Sequence, residues 1–504
     1  MGRAQMSMSF LTTPTKSRRP IQRITAIVVA VLLCTAGVGV VLLHHFWPFT
    51  ESSVRANLGE SAAANVKLGS FREKYFPPGC VMENVVFQRG NSGQTLISIH
   101  RLTISSNLAG LLRHHISLLH AEGMHVTLGH SDFSADRSSS HKTVVDRLVA
   151  DDAVLDVQRK GQPVKFVFHK FQIQNLGGSN TVKFAAVFDN PMPAGLIQTS
   201  GQLGPWKSSD LGGTPVSGTY TLSNADLGVF HSIGGKVSSG GNFEGTFKQL
   251  EVEGSTTTPE FEVAYTGHKL PLQTRFKAAV NALNGEIILQ SVKANFGRDQ
   301  IDAHGRIGMQ ADGKHAAIIE LTCDRGRIED TFYPFVKSPK MPLVGNVAFQ
   351  MHVVIPSGKE RFLKKIEIGS DFRIQDARFT NPQTQSRLSK IAEAPDQKQP
   401  DQNSPADLSG NVRLLKGIAH FSQLSARDGN ATASFHGNFD LTNEQVNLHG
   451  QLTTEASLTK TTSGIKSVFA KALEPLFKKG HHEKVVPVKI SGTYHKPSFG
   501  LDGA

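Results

Sequence analysis

Thr432-Ala433-Ser434-Phe435-His436-Gly437-Asn438-Phe439-Asp440-Leu441 alternates without a break. Ala433, Phe435, Gly437, Phe439 and Leu441 fall on one side of an extended chain, and Thr432, Ser434, His436, Asn438 and Asp440 on the other. A period of two marks a strand with one buried face. Val347, Phe349, Met351, Val353 and Ile355 repeat the pattern. So do Val446, Leu448 and Leu452, and Val486, Val488, Ile490 and Tyr494. Short runs of this kind, bounded by Gly, Asn, Asp and Pro, fill much of the chain and predict a mainly β protein with antiparallel strands.

A second pattern overlies the first: a small residue or His, then Gly, a polar residue and an apolar one. It occurs at Ser200–Leu203, Ser217–Tyr220, His304–Ile307, Ser409–Val412, His436–Phe439, His449–Leu452 and Ser491–Tyr494. The spacing is irregular, which excludes a solenoid of fixed period. It predicts many strands of one open sheet, with Gly where the sheet bends or bulges. The 47 glycines of the chain make strong curvature plausible.

Helices are few. Helical character is expected over Glu51–Ala64, Asn107–Leu119 and Arg325–Lys337, and most clearly over Ser463–Lys479. In that last segment Ile465, Val468, Phe469, Ala472, Leu473, Leu476 and Phe477 recur at helical spacing among Lys466, Lys471, Lys478 and Lys479. Such an amphipathic helix packs on the sheet or touches a membrane. Residues 384–407, rich in Gln, Asp, Pro and Ser, cannot bury enough apolar surface to fold and read as a disordered linker.

Ile24–Leu43 is a charge-free, almost wholly apolar run of twenty residues, the length that crosses a bilayer core of ~30 Å. Arg3, Lys16, Arg18, Arg19 and Arg23 precede it without Asp or Glu, which places the N-terminus in the cytoplasm. The run is longer than a signal-peptide core and ends in Leu-Leu-His-His-Phe-Trp-Pro, which offers no small-residue cleavage site. Leu33 does not suit a lipid-modified Cys34. The organisation expected is a cytoplasmic basic tail over 1–23, a transmembrane helix over 24–46 with Phe46 and Trp47 as interfacial aromatics, a β-rich exported region over 47–383, the linker over 384–407, and a C-terminal β module over 408–504.

The net charge of +12 includes the five charges of the tail, so the exported part is only mildly basic. No basic stripe is interleaved with aromatics, and nucleic acid is excluded as a partner. Cys80 and Cys323 lie in the exported part, where oxidation is permitted, and are either one disulfide or two small buried apolar residues. H-E-x-x-H, G-x-S-x-G, P-loop and dinucleotide fingerprints are absent. The neighbours Asp151 and Asp152 have the wrong geometry on a strand for a shared acid–base pair, and adjacent histidines such as His114-His115 point to opposite faces. The reading is therefore of a protein that is not an enzyme and needs neither cofactor nor metal.

Four stretches resemble the AsmA-like family of bacterial envelope proteins. They are Ser70–Gly79 running into Val85-Val86-Phe87, Leu118–Val126, Asn224–Leu227 with Ile233–Val237, and Val486–Thr493 with Pro497–Gly500. The resemblance implies an inner-membrane anchor and a periplasmic sheet curled into an elongated groove whose apolar lining holds phospholipid acyl chains. It also implies a role in lipid transfer and outer-membrane assembly. Phe349, Met351, Val353, Phe435 and Phe439 are the candidate lining residues. The alternating pattern itself is equally that of a sealed β core, so a structural envelope protein that binds protein partners stays open as the alternative.

Overall fold

A computed structural model describes residues 47–502 apart from connecting segments, the longest of which are 129–143, 381–405 and 455–483. The expected tail and membrane span, most of the linker and the helix at 463–479 lie outside the described residues, as does Tyr494.

The described chain forms one sheet of 26 strands. Strands follow one another in space nearly as in sequence. Asn65–Lys67 and Ser70–Lys74 both pair with Gly79–Gln88, and from there hairpins lead to Lys496–Leu501. All pairings are antiparallel except those of Val144–Val157 with His115–Ile116 and with Leu118–Leu128. A parallel neighbour needs a crossover between its strands, and residues 129–143, which join Leu118–Leu128 to Val144–Val157 in sequence, lie outside the described residues.

The sheet coils. Tyr265, in the turn after strand Gln249–Val263, donates its hydroxyl to the Leu441 carbonyl at 3.2 Å. Leu441 follows strand Ala431–Asp440, which lies eight strand steps beyond Lys269–Asn281 and opens on the opposite long edge. On a flat sheet those steps would span about 40 Å. A twist of ~20–25° per step turns the opposite edge to the same side but leaves that separation, so the contact requires the sheet to curl along its length as well.

Two expected helices are corrected. His115–Ile116 and Leu118–Leu128 are strands, not the end of a helix from Asn107. Leu119 and Ala121 there pair with Ile104 and Leu102, and sheet burial overrides the leucine-rich local preference. Among the described residues of Arg325–Lys337, only Ile328–Thr331 is α-helical. Arg325–Arg327 ends a strand, and Pro334 falls in the 3₁₀ turn Tyr333–Phe335, where a longer helix would lose a hydrogen bond. The helix expected over Glu51–Ala64 forms over Glu51–Ala62, with Thr50 Oγ1 accepting from the Ser53 amide at 3.4 Å. Ala406 and Asp407, placed in the linker, belong to strand Ala406–Leu415, which pairs with Glu367–Phe379. The sheet is thus continuous across that segment.

Cys80 and Cys323 are free and buried in separate hydrophobic clusters. Burial, with the nearby Glu73 charge, pushes the Cys80 thiol up to about 12. Cys323 is pushed up to about 11, first by burial and then by Asp299. Both behave as small apolar residues.

Candidate functional site: an uncovered apolar face

Cross-strand register carries one apolar lane over twenty-one strands. From the N-terminal end it runs Cys80, Ile104, Leu119, Leu148, Ile173, Phe184, Gly201, Gly218, Phe243 and Val252. It continues through Ala278, Leu289, Gly305, Ile319, Val353, Ile368, Leu414, Ala419, Phe439, Val446 and Gly492. No position in it is polar. Directly opposed residues point to the same side of a sheet, so these side chains share one face.

All five candidate lining residues stand on this face. Val353 and Phe439 belong to the lane itself. Met351 lies in a neighbouring row with Leu321, Val412, Phe421 and Leu448, interrupted by Ser370. Phe349 and Phe435 share a third row through Phe372, Gly410 and Leu424. They differ in cover: Phe349 and Val353 are 5% and 6% exposed, whereas Met351, Phe435 and Phe439 are half-buried.

The cover comes from three short segments, since no second sheet is present among the described residues. Near the N-terminus, Trp47, Phe49 and Val54 pack on Cys80, Met82, Leu102 and Ile104. Trp47, expected as an interfacial aromatic, is instead 7% exposed and part of this folded core. In the middle, Ile328, Phe332, Tyr333 and Met341 lie over Ile301, Cys323 and Phe349, and the Phe332 and Phe349 rings are 5.7 Å apart. Asp299 holds this cap: its Oδ2 accepts from the Arg327 amide and the Thr331 hydroxyl, both at 2.7 Å. The turn at Tyr265 braces it, with Thr266 Oγ1 donating to the Pro334 carbonyl and His268 stacked on Tyr333 at 4.4 Å. Farther on, Phe362 and Ile366 pack over Val353 and Leu414.

Between the first two caps the described residues form no buried cluster on the same face, although Val182, Ala186, Val216 and Ala278 are singly buried. Phe184, Phe243, Val252, Phe276, Leu289 and Val292 are half-buried there. These are the residues that sequence reasoning passed over, although Leu270, Leu272, Thr274, Phe276, Ala278 and Val280 alternate as cleanly as the stretches chosen. A shallow depression of about 570 Å³ over part of this region involves the opposite, polar face, with Gln172, Lys183, Ser200, Gln202 and Thr219 in its lining.

The glycines of the recurring motif all occupy rows of the apolar face. Register explains them: a Cβ on Gly218 would meet the Ser200 carbonyl oxygen at 2.3 Å, and one on Gly437 the Asn447 oxygen at 2.2 Å. Each lets the neighbouring backbone approach closely, while register shifts fall mostly at other residues, such as Leu289/Val292 and Phe421/Leu424. Glycine thus tightens the coil, and the shifts keep apolar residues on one side.

The opposite face is polar and paired across strands. His120 bonds Asp151 at 2.8 Å, His169 bonds Asp189 at 3.0 Å, and Arg101 reaches Glu83 and Glu122 at 3.5 and 3.7 Å. Such exposed pairs add little stability but keep this side wet. Asp151 is thus engaged by His120, and Asp152 sits next to it with a left-handed φ of 51°. Among the described residues no cluster of three or more His, Cys, Asp or Glu is arranged to hold a metal ion, and no helix is long and apolar enough to cross a membrane.

No family model matches the chain, and no curated protein or solved structure is similar to it. The class the geometry defines is a single, coiled, one-sided apolar β-sheet.

Proposed function

We propose that the chain is an inner-membrane-anchored, periplasmic protein of AsmA-like kind that binds or transfers lipid along its apolar face. The observation that carries this reading is the unbroken apolar lane, together with its stretch between strands Val182–Pro191 and Glu286–Phe296, over which the described residues form no cap. A face that apolar, without a packed second layer, favours an apolar ligand: each acyl CH₂ removed from water contributes ~0.8 kcal/mol. Twenty strand steps of ~4.8 Å give a path on the order of 100 Å, longer than a bilayer is thick. The apolar run Ile24–Leu43 supports the anchor, and the arginine and lysine residues before it support export of the β region. Transport of this type asks for no catalytic group.

The test is native mass spectrometry of the full chain, extracted in mild detergent, followed by lipid analysis. Phospholipid at one or more molecules per chain is the expected result. A folded chain free of lipid would favour the scaffolding alternative, with protein partners in the same envelope.

A further inference from the structure

Phe76 is 88% exposed and Tyr75 60%, on a turn between strands Ser70–Lys74 and Gly79–Gln88. Together the two rings form an exposed aromatic patch, which is the informative departure from an ordinary wet surface. The turn is firmly mounted. Pro78 is buried, its carbonyl accepts from the Ser106 amide at 2.7 Å, and Cys80 beneath it is fully buried. Tyr75 packs its ring on Trp47 with centroids 5.2 Å apart, and its hydroxyl donates to Glu73 at 2.9 Å.

Trp47 sets the distance to the apolar run. It lies four positions beyond Leu43, and four steps of extended chain reach at most about 14 Å. Wherever that run leaves the hydrocarbon, the Tyr75–Phe76 tip lies close to the same boundary. The exposed cations Arg72 and Lys74 flank it, suited to lipid phosphates, and aromatic rings favour the level of the headgroups.

We propose that the Tyr75–Pro78 turn is a second membrane contact, with Phe76 seated in the outer leaflet of the bilayer that holds the anchor. Two attachments then fix the N-terminal end of the sheet against the membrane, and the apolar lane begins at Cys80, two residues beyond the turn. This contact rests on the reading of Ile24–Leu43 as a membrane span.

The experiment uses the full chain with Cys34→Ser and Phe76→Cys, labelled with an environment-sensitive fluorophore. Cys80 and Cys323 are buried and stay unlabelled. The chain is reconstituted in nanodiscs of phosphatidylcholine and phosphatidylglycerol with or without doxyl-labelled lipid. Asn284→Cys, on an exposed turn far along the sheet, is the control. Doxyl lipid is expected to quench the label at position 76 at least threefold more than at position 284. Equal quenching at the two positions, in a chain that resists alkaline carbonate extraction, overturns the contact and leaves the anchor standing. A label shielded from aqueous iodide but not quenched by doxyl lipid also overturns it, in favour of a protein neighbour. Release of the chain by carbonate overturns the anchor and the contact together.

Discussion

A chain carrying Phe276→Glu and Phe435→Glu is expected to retain its fold and to lose the lipid proposed for it. Both side chains are half-buried on the apolar face, and neither belongs to the buried cluster under a cap. Phe276 follows Gly254 and precedes Val292 in the Met351 row, and Phe435 stands in the Phe349 row. A carboxylate at a half-accessible site keeps its water, so the folded state tolerates it. An acyl chain lying over it must give up contact on either side. Losing about four CH₂ of burial costs ~3 kcal/mol, or roughly a hundredfold in affinity. Lipid co-purifying with the double variant should drop below a tenth of the parent level, with an unchanged far-UV spectrum. Full retention of lipid would show that this face does not carry it. Phe349 is the poorer site for such a test, because its burial under Phe332 makes a charge there a folding defect first.

Phe349→Ala should instead cost about 3–5 kcal/mol of local stability. The ring is 5% exposed, opposes Phe372 across the strand pair and supports Phe332 in the middle cap. In a sheet whose strands contact mainly their neighbours, the damage stays close to its source. Hydrogen exchange should quicken in 328–336 and 343–356, while Gly79–Gln88 and Thr95–Ser105 keep their protection. Uniform loss along the chain would mean that the sheet unfolds as one unit.

The alternation at Thr432–Leu441 and Val347–Ile355 was enough to place strands and their faces, because a period of two leaves little choice once one side is apolar. The five lining candidates emerged on one face for that reason. What the alternation could not supply was cover. Phe349 and Met351 read alike in sequence, yet one is 5% exposed within the cluster under the Ile328–Phe335 cap and the other packs half-buried against it, and this depends on where a short connecting segment folds back. Curvature was legible only as an excess of glycine. Its source, close approach of neighbouring backbones at positions such as Gly218 and Gly437, needs the register of the partner strand. The C-terminal end of the helix expected over Asn107–Leu119 forms strand instead, because Leu118 and Leu119 suit a helix or a strand by local preference. Pairing with Thr95–Ser105 and Val144–Val157 decided between them.

The central claim is that the lane is one continuous path for lipid. It is tested most directly by photo-crosslinking in membranes, with a photoreactive amino acid placed singly at Phe243, Leu289, Met351, Phe439 and Val446 of the full chain, and at exposed Lys293 and His436 on the opposite face. The account predicts phospholipid adducts at all five apolar positions and none at the two polar ones. Adducts to protein alone, or lipid captured equally on both faces, would contradict it.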